Sequence, residues 1–159
     1  SSAKPAVTLT RANERIRADT ESDQFVTLIY GVLDPKTGLL TYANAGHNPG
    51  YLLRAGNDHF DSLTRTGIPL GIDPDFTWQH RELALQPDGR LVLYTDGVIE
   101  AMNRSRELYG LERLIAFFQR EADRPVDSLV ERTWMSARAF GVGPRQADDM
   151  TGIALRQQG

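Results

Sequence analysis

Two short apolar runs, each joined to acidic residues, constrain this chain more than anything else in it. Leu91-Val92-Leu93-Tyr94 leads directly into Thr95-Asp96-Gly97-Val98. About fifty residues later Asp148-Asp149-Met150-Thr151 leads into Gly152-Ile153-Ala154-Leu155. The first run ends in an acid and the second begins after two. If the runs form neighbouring strands, the carboxylates of Asp96 and Asp148 converge, on the order of 4–6 Å apart, at one end of a sheet. The chain has no cysteine and three histidines. Converging carboxylates in such a chain point to a hard cation, Mg²⁺ or Mn²⁺, which takes oxygen ligands.

The length of 159 residues fits one domain with a core of real size. A net charge of −3 gives no reason to expect nucleic-acid binding or adhesion to an anionic membrane. The absence of cysteine removes disulfides, zinc–thiolate sites and thiol nucleophiles, and it fits a cytoplasmic protein. The longest apolar stretch, residues 25–33, is too short to span a bilayer. No signal-peptide core and no initiator methionine stand at the start, so a fragment or excised domain is expected.

Hydrophobic periodicity predicts a helix over residues 7–19, with Leu9, Ala12 and Ile16 on one face and Asn13 mostly off it. A buried strand is expected over 25–33. It turns through Asp34-Pro35-Lys36-Thr37-Gly38 into a second strand over 39–45. Residues 51–54 and 59–63 read as another hairpin, and 66–74 carries too many breakers for a regular element. Residues 76–85 alternate like a strand, turned by Pro87-Asp88-Gly89 into the strand over 90–95. Helices are expected over 111–121, with Leu111, Leu114, Ile115 and Phe118 on its face, and over 125–140. A last strand follows over 150–156. The class is α+β with a largely antiparallel sheet.

Each candidate residue has a plain structural reading beside a functional one. Asp96 is a metal ligand at a sheet rim, with Gly97 letting the backbone turn, or a simple Asp-Gly turn. Asp148 and Asp149 are ligands and neighbours, or a solvated acidic loop. Glu100 orients a ligand or caps a helix start. Asn44, Gly46 and His47 lie in Asn44-Ala45-Gly46-His47-Asn48-Pro49. That segment is a tight supporting loop without a metal bond, or a loop that supplies a general acid or a ligand. Trp78 and Trp134 are packing residues. No Walker-type phosphate loop and no Gly-x-Ser-x-Gly elbow occurs.

Five segments in order carry a resemblance. They are Phe25-Val26-Thr27-Leu28, then Tyr42-Ala43-Asn44-Ala45-Gly46-His47-Asn48-Pro49, then Gly67-Ile68-Pro69-Leu70-Gly71, then Tyr94-Thr95-Asp96-Gly97-Val98-Ile99-Glu100-Ala101, and finally Asp148-Asp149-Met150-Thr151. Together they resemble the metal-dependent protein phosphatases of type 2C. Within these they are most similar to the bacterial branch of stage II sporulation protein E and the sigma-factor-regulator phosphatases. The resemblance implies an antiparallel β-sandwich flanked by helices in α-β-β-α layers. It also implies a two-metal Mn²⁺ or Mg²⁺ site in which Asp96 and Asp148 are ligands. The nucleophile is then a metal-bound water rather than a side chain, acting on phosphoserine or phosphothreonine. The implied partner is a phosphorylated anti-anti-sigma-type protein.

An early Gly-Asp-Val-x-Gly segment with the first metal ligands belongs to this pattern, and this chain has no counterpart to it. Residues 7–157 are therefore expected to be the C-terminal two thirds of the domain, incomplete at its N-terminus, with 1–6 as a linker. The chain alone is expected to be weak or inactive, and an open sheet edge would invite a homodimer. A catalytically incompetent binding or regulatory module is the competing reading. The encoded sequence upstream of Ser1 discriminates the two.

Overall fold

The computed structural model describes residues 4–19, 24–54, 60–121, 124–141 and 150–156. In chain order the elements are α1 (Pro5–Asp19), β1 (Leu28–Leu33), β2 (Leu39–Ala45), β3 (Gly50–Leu53), β4 (Phe60–Leu63), β5 (Arg81–Ala84), β6 (Arg90–Tyr94), α2 (Gly110–Arg120), α3 (Leu129–Phe140) and β7 (Gly152–Arg156). Short 3₁₀ turns lie at Asp96–Val98 and Val126–Ser128. Among the described residues this is an α+β architecture with two antiparallel sheets, ordered β1-β2-β5 and β4-β3-β6-β7. The chain divides into two compact units, Ser1–Pro49 with Ser62–Leu85, and Gly50–Asp61 with Gln86–Gly159.

In the first unit, β1 and β2 form the expected hairpin, in register from Leu28↔Ala45 to Leu33↔Leu40. Asp34 Oδ1 accepts from the Lys36 N–H at 2.9 Å, and Gly38 takes φ 70°, which closes the turn without a Cβ clash. The strand expected to be buried over 25–33 is shorter and largely exposed. Phe25 is 61% accessible, and β1 stands at the end of its sheet. A β-branched run fits an edge strand as well as a central one. Helix α1 starts at Pro5, inside the segment expected to be linker. Pro5 is fully buried, and proline suits a first turn because its missing N–H would have no helical partner.

Leu9 is fully buried with Ala43, Ala45, Leu70 and Trp78, a burial that stabilises by roughly 1.5–3 kcal/mol for the leucine. Asn13, expected off the packed face, is buried with it. Its Oδ1 accepts from the Gly71 N–H at 2.7 Å and its Nδ2 donates to Asp73 O at 2.9 Å. The helix thus holds the irregular 66–74 segment by a polar side chain that hydrophobic periodicity cannot flag.

In the second unit, β6 is central. It pairs with β3 through Tyr51↔Val92 and with β7 through Val92↔Ala154. Strand alternation puts Tyr51, Leu53, Val92 and Tyr94 on one face, where they pack with Leu114, Phe117 and Phe118 of α2 and Leu129 and Ala137 of α3. The buried stripe of α2 is therefore Leu114-Phe117-Phe118, and Leu111 is exposed. The expected face was rotated by part of a turn. The helix expected over 125–140 begins as a 3₁₀ turn after Pro125 and becomes regular at Leu129. The expected strand over 76–85 shrinks to β5, which pairs with β2, while β6 pairs in the other sheet. Pro87-Asp88-Gly89 therefore makes a crossover between sheets rather than a hairpin.

Candidate functional site

Strand β6 ends at Tyr94, and Thr95 continues extended at φ −90°, ψ 160° before the 3₁₀ turn. Hydrogen bonds between Thr95 and Thr151 carry the pairing with β7 one residue past its ladder. The Thr95 N–H donates to Thr151 O at 3.0 Å, and the Thr151 N–H donates to Thr95 Oγ1 at 2.9 Å. The turn then buries Gly97 and Val98 and leaves Asp96 exposed. The Gly97 N–H donates to Asp96 Oδ1 at 3.0 Å and fixes the carboxylate's orientation at the strand end. The other carboxylate oxygen has no hydrogen-bond partner among the described residues. The Glu100 N–H donates to Asp96 O at 2.9 Å. Glu100 is exposed and lies ten residues before α2, so it closes the turn through its backbone and caps no α-helix.

The other candidate segment, in the first unit, is tightly built. Asn44 is fully buried at the end of β2. Its Oδ1 accepts from the His47 N–H at 2.8 Å, and its Nδ2 donates to Leu63 O at 3.0 Å and His47 O at 3.2 Å. Gly46 takes φ 71°, and a Cβ there would stand 2.6 Å from Pro69 Cγ, so both the backbone angle and the space demand glycine. His47 Nδ1 lies 3.0 Å from Thr27 Oγ1. This arrangement fits a fixed supporting loop.

The structure thus places Asp96, Gly97 and Glu100 in one turn of the second unit, and Asn44, Gly46 and His47 in one loop of the first. Asp148 and Asp149, with the expected approach of Asp148 to Asp96, lie outside the described residues. Among the described residues no group of three His, Cys, Asp or Glu side chains is placed to hold an ion. Asp96 fits the donor chemistry of a hard cation as an exposed, oriented carboxylate. Thr95 and Thr151, which pair the end of β6 with the start of β7, carried no separate reading in the sequence. A threonine beside each acidic motif was the available signal.

The model of one protein family, stage II sporulation protein E (SpoIIE), matches residues 1–158. The chain belongs to the stage II sporulation protein E family. A curated relative, the phosphoserine phosphatase RsbU of Bacillus subtilis, is 29% identical over 156 residues, covering 97% of this chain and 45% of RsbU. The chain spans less than half the length of the curated relatives it matches. Among solved structures, the SiaA-PP2C domain of Pseudomonas aeruginosa superposes with a TM-score of 0.84 at 19% identity, covering 98% of this chain and 61% of that one. The Mn-presoaked phosphatase domain of SpoIIE from Bacillus subtilis gives 0.66 at 17% identity, covering 100% and 68%. The family's α+β fold, that of the type 2C phosphatases, is therefore the fold of this chain.

Proposed function

We propose that this chain is part of a metal-dependent protein phosphatase that hydrolyses phosphoserine or phosphothreonine. One observation carries the reading. Asp96 stands exposed where β6 ends, and the Thr95–Thr151 pair holds the start of β7 beside it. Asp149 and Asp148 are the next acids along the chain from Met150. In this reading Asp96 and Asp148 bind Mn²⁺ or Mg²⁺, with Asp149 adjacent. Gly97 orients the Asp96 carboxylate, and Asn44, Gly46 and His47 support the fold without binding metal. The bound ion would polarise the phosphoryl oxygens and offset the charge that develops on them. The chain's own contribution is to present the Asp96 carboxylate, oriented by the Gly97 N–H, at a strand end, so that little reorganisation is needed there as that charge develops.

The name and chemistry of RsbU support phosphoserine as the bond attacked, and the Mn-presoaked SpoIIE domain supports manganese as the ion to try first. For the substrate we favour a phosphorylated anti-anti-sigma-type regulator, in the cytoplasm of a bacterial cell. Among the described residues no helix is long and apolar enough to cross a membrane. The test is phosphate release from a phosphoserine protein with and without Mn²⁺, using this chain and a form extended upstream. Metal-stimulated release by either form supports the reading. Release by neither, with both folded, favours a binding module.

A further inference from the structure

Between the Asp96 turn and α2 the chain makes an excursion that the phosphatase reading leaves unexplained. Residues 99–110 fold back on themselves. The Gly110 N–H donates to Ile99 O at 2.9 Å, the Tyr109 N–H to Ala101 O at 2.7 Å, and the Asn103 N–H to Glu107 O at 3.0 Å. Met102 and Leu108 bridge between them. This is a small hairpin whose first strand leaves the Asp96 turn and whose second delivers the chain to α2.

Its root is clamped. Tyr109 is buried, its hydroxyl lies 2.8 Å from Ser136 Oγ, and its ring meets Phe140 edge-on at 5.7 Å. Arg113 Nη1 donates to Leu108 O and Tyr109 O, and its guanidinium sits 4.6 Å over the Phe140 ring. Its tip is equally defined. Asn103 Oδ1 accepts from the Glu107 N–H at 2.9 Å, and its Nδ2 donates to Glu107 Oε2 at 2.7 Å. Arg106 holds φ 63°, an angle that non-glycine residues adopt rarely and only where the surroundings over-determine it.

What this rigid element presents is exposed arginine. Arg104 and Arg106 are both exposed, and among the described residues neither has an ion-pair partner. The one acid at the tip, Glu107, has its carboxylate engaged by Asn103. A cationic tip stands out on a chain of net charge −3. Below it, Met102 and Leu108 are each nearly half exposed and give the hairpin an apolar flank. At about 3.3 Å per residue, the ladder carries the tip roughly 13 Å from the turn that begins with Asp96. A small phosphate ester has no atoms that far from its phosphorus, but a protein carrying a phosphoserine does.

We propose that this hairpin is a substrate-positioning element, in which Arg104 and Arg106 engage acidic side chains flanking the phosphorylated residue of a protein substrate. The proposal rests on the phosphatase reading of the Asp96 site. Two arginines on a preorganised turn bind carboxylates with little loss of backbone freedom, and the charge-assisted hydrogen bonds offset the ordering of their side chains. They discriminate acidic from basic surroundings of the phosphoserine and play no part in the bond-breaking step.

The experiment compares Arg104→Glu/Arg106→Glu and Arg104→Lys/Arg106→Lys with the unaltered protein, in both forms used for the phosphate-release assay. The probes are p-nitrophenyl phosphate and two synthetic phosphoserine peptides of about fifteen residues, one flanked by glutamates and one by lysines; extended, either is long enough to reach the tip. Peptide affinity is also measured directly by fluorescence anisotropy without metal. The glutamate pair should raise KM for the acidic peptide about tenfold with kcat kept. It should leave p-nitrophenyl phosphate unchanged and improve use of the basic peptide. The lysine pair should restore most of the loss, and the difference should shrink in 1 M salt, where charges are screened within about 3 Å. Equal loss on all three probes, or no change in peptide KM or affinity, overturns the proposal. If the unaltered protein turns over no probe, the phosphatase reading falls and the affinity arm alone decides. Weaker binding of the acidic peptide by the glutamate pair still supports docking, and equal binding overturns it.

Discussion

Thr95 and Thr151 exchange three hydrogen bonds across the ends of β6 and β7: Thr95 N–H to Thr151 O at 3.0 Å, Thr151 N–H to the Thr95 hydroxyl at 2.9 Å, and a long one from that hydroxyl to Thr151 O at 3.4 Å. The pair fixes where the Asp96 turn and the start of β7 stand relative to each other. Converting Thr95 to valine keeps the shape and removes the hydroxyl, which accepts from the Thr151 N–H at 2.9 Å and donates only weakly, at 3.4 Å, to Thr151 O. We expect about 1 kcal/mol of lost stability, the net worth of one hydrogen bond. The Mn²⁺ concentration for half-maximal activity should rise about tenfold, the low end of what partners behind metal ligands produce. Thr95→Ser should keep both properties. A thermal melt and a Mn²⁺ titration read them out, and an unchanged titration with lowered stability would limit the pair to a structural role.

Asp96→Asn removes the charge that offsets the metal and keeps shape and hydrogen bonding. In whichever form of the protein shows Mn²⁺-dependent phosphate release, the rate should fall on the order of 10² or more. Asp96 is exposed, so stability should move by no more than about 0.5 kcal/mol. Phosphate release from a phosphoserine protein, with a melt as folding control, measures both. Unchanged turnover would reduce Asp96 to a turn residue.

The motif at Asp96 was legible because Asp-Gly after an apolar run has one geometric consequence, an acid at a strand end, and the 3₁₀ turn provides it. The Asn44–Pro49 loop was legible for the same reason. Glycine and proline impose local geometry that the rest of the fold rarely overrides. What failed was non-local. Residues 76–85 alternate like a strand, yet Phe76 and Trp78 stack edge-on at 5.1 Å against Gly67, where a Cβ would stand 2.5 Å from the Trp78 ring. Their apolar side chains cover a loop rather than extend a ladder. Nor can Pro87-Asp88-Gly89 reveal which sheet each flanking strand joins, because pairing partners are set by the whole core. The hairpin over 99–110 escaped because its signal is a polar Asn103-to-Glu107 spacing, which hydrophobic periodicity does not register.

Asn44→Ala tests the supporting loop. Asn44 is fully buried, and its loss leaves Leu63 O and the His47 N–H without their partners. Buried groups left unsatisfied cost about 1–3 kcal/mol each, so we expect a loss of about 2–6 kcal/mol by urea denaturation. The Mn²⁺ dependence of any remaining folded protein should be unchanged. A shift in that dependence would mean that the loop does more than support.

The last prediction concerns pH and is set by Glu121, buried at the end of α2. Its carboxylate meets Arg132 of α3 at 2.5 Å, with Arg124 at 3.6 Å and Arg120 at 3.8 Å, and its backbone oxygen accepts from Arg90 Nη1 of β6. The hydrogen bond from Arg132 outweighs burial and, with the attraction of Arg132, Arg124 and Arg120, holds the Glu121 carboxyl below the usual carboxylate range. A carboxyl whose folded-state pKa is depressed contributes stability that is fully present above its unfolded value, about 4.3. That stability is lost as pH falls through the folded value, because the unfolded chain then binds the proton more readily. Glu121→Gln cannot titrate. Its melting temperature should therefore lie below that of the unaltered protein at pH 7, and the gap should narrow as pH falls below about 4.3. Melts between pH 7 and pH 3 decide it. A gap that stays constant across this range would show that the glutamine loses packing or hydrogen bonding alone, and that the charge of Glu121 adds nothing to the α2–α3 junction.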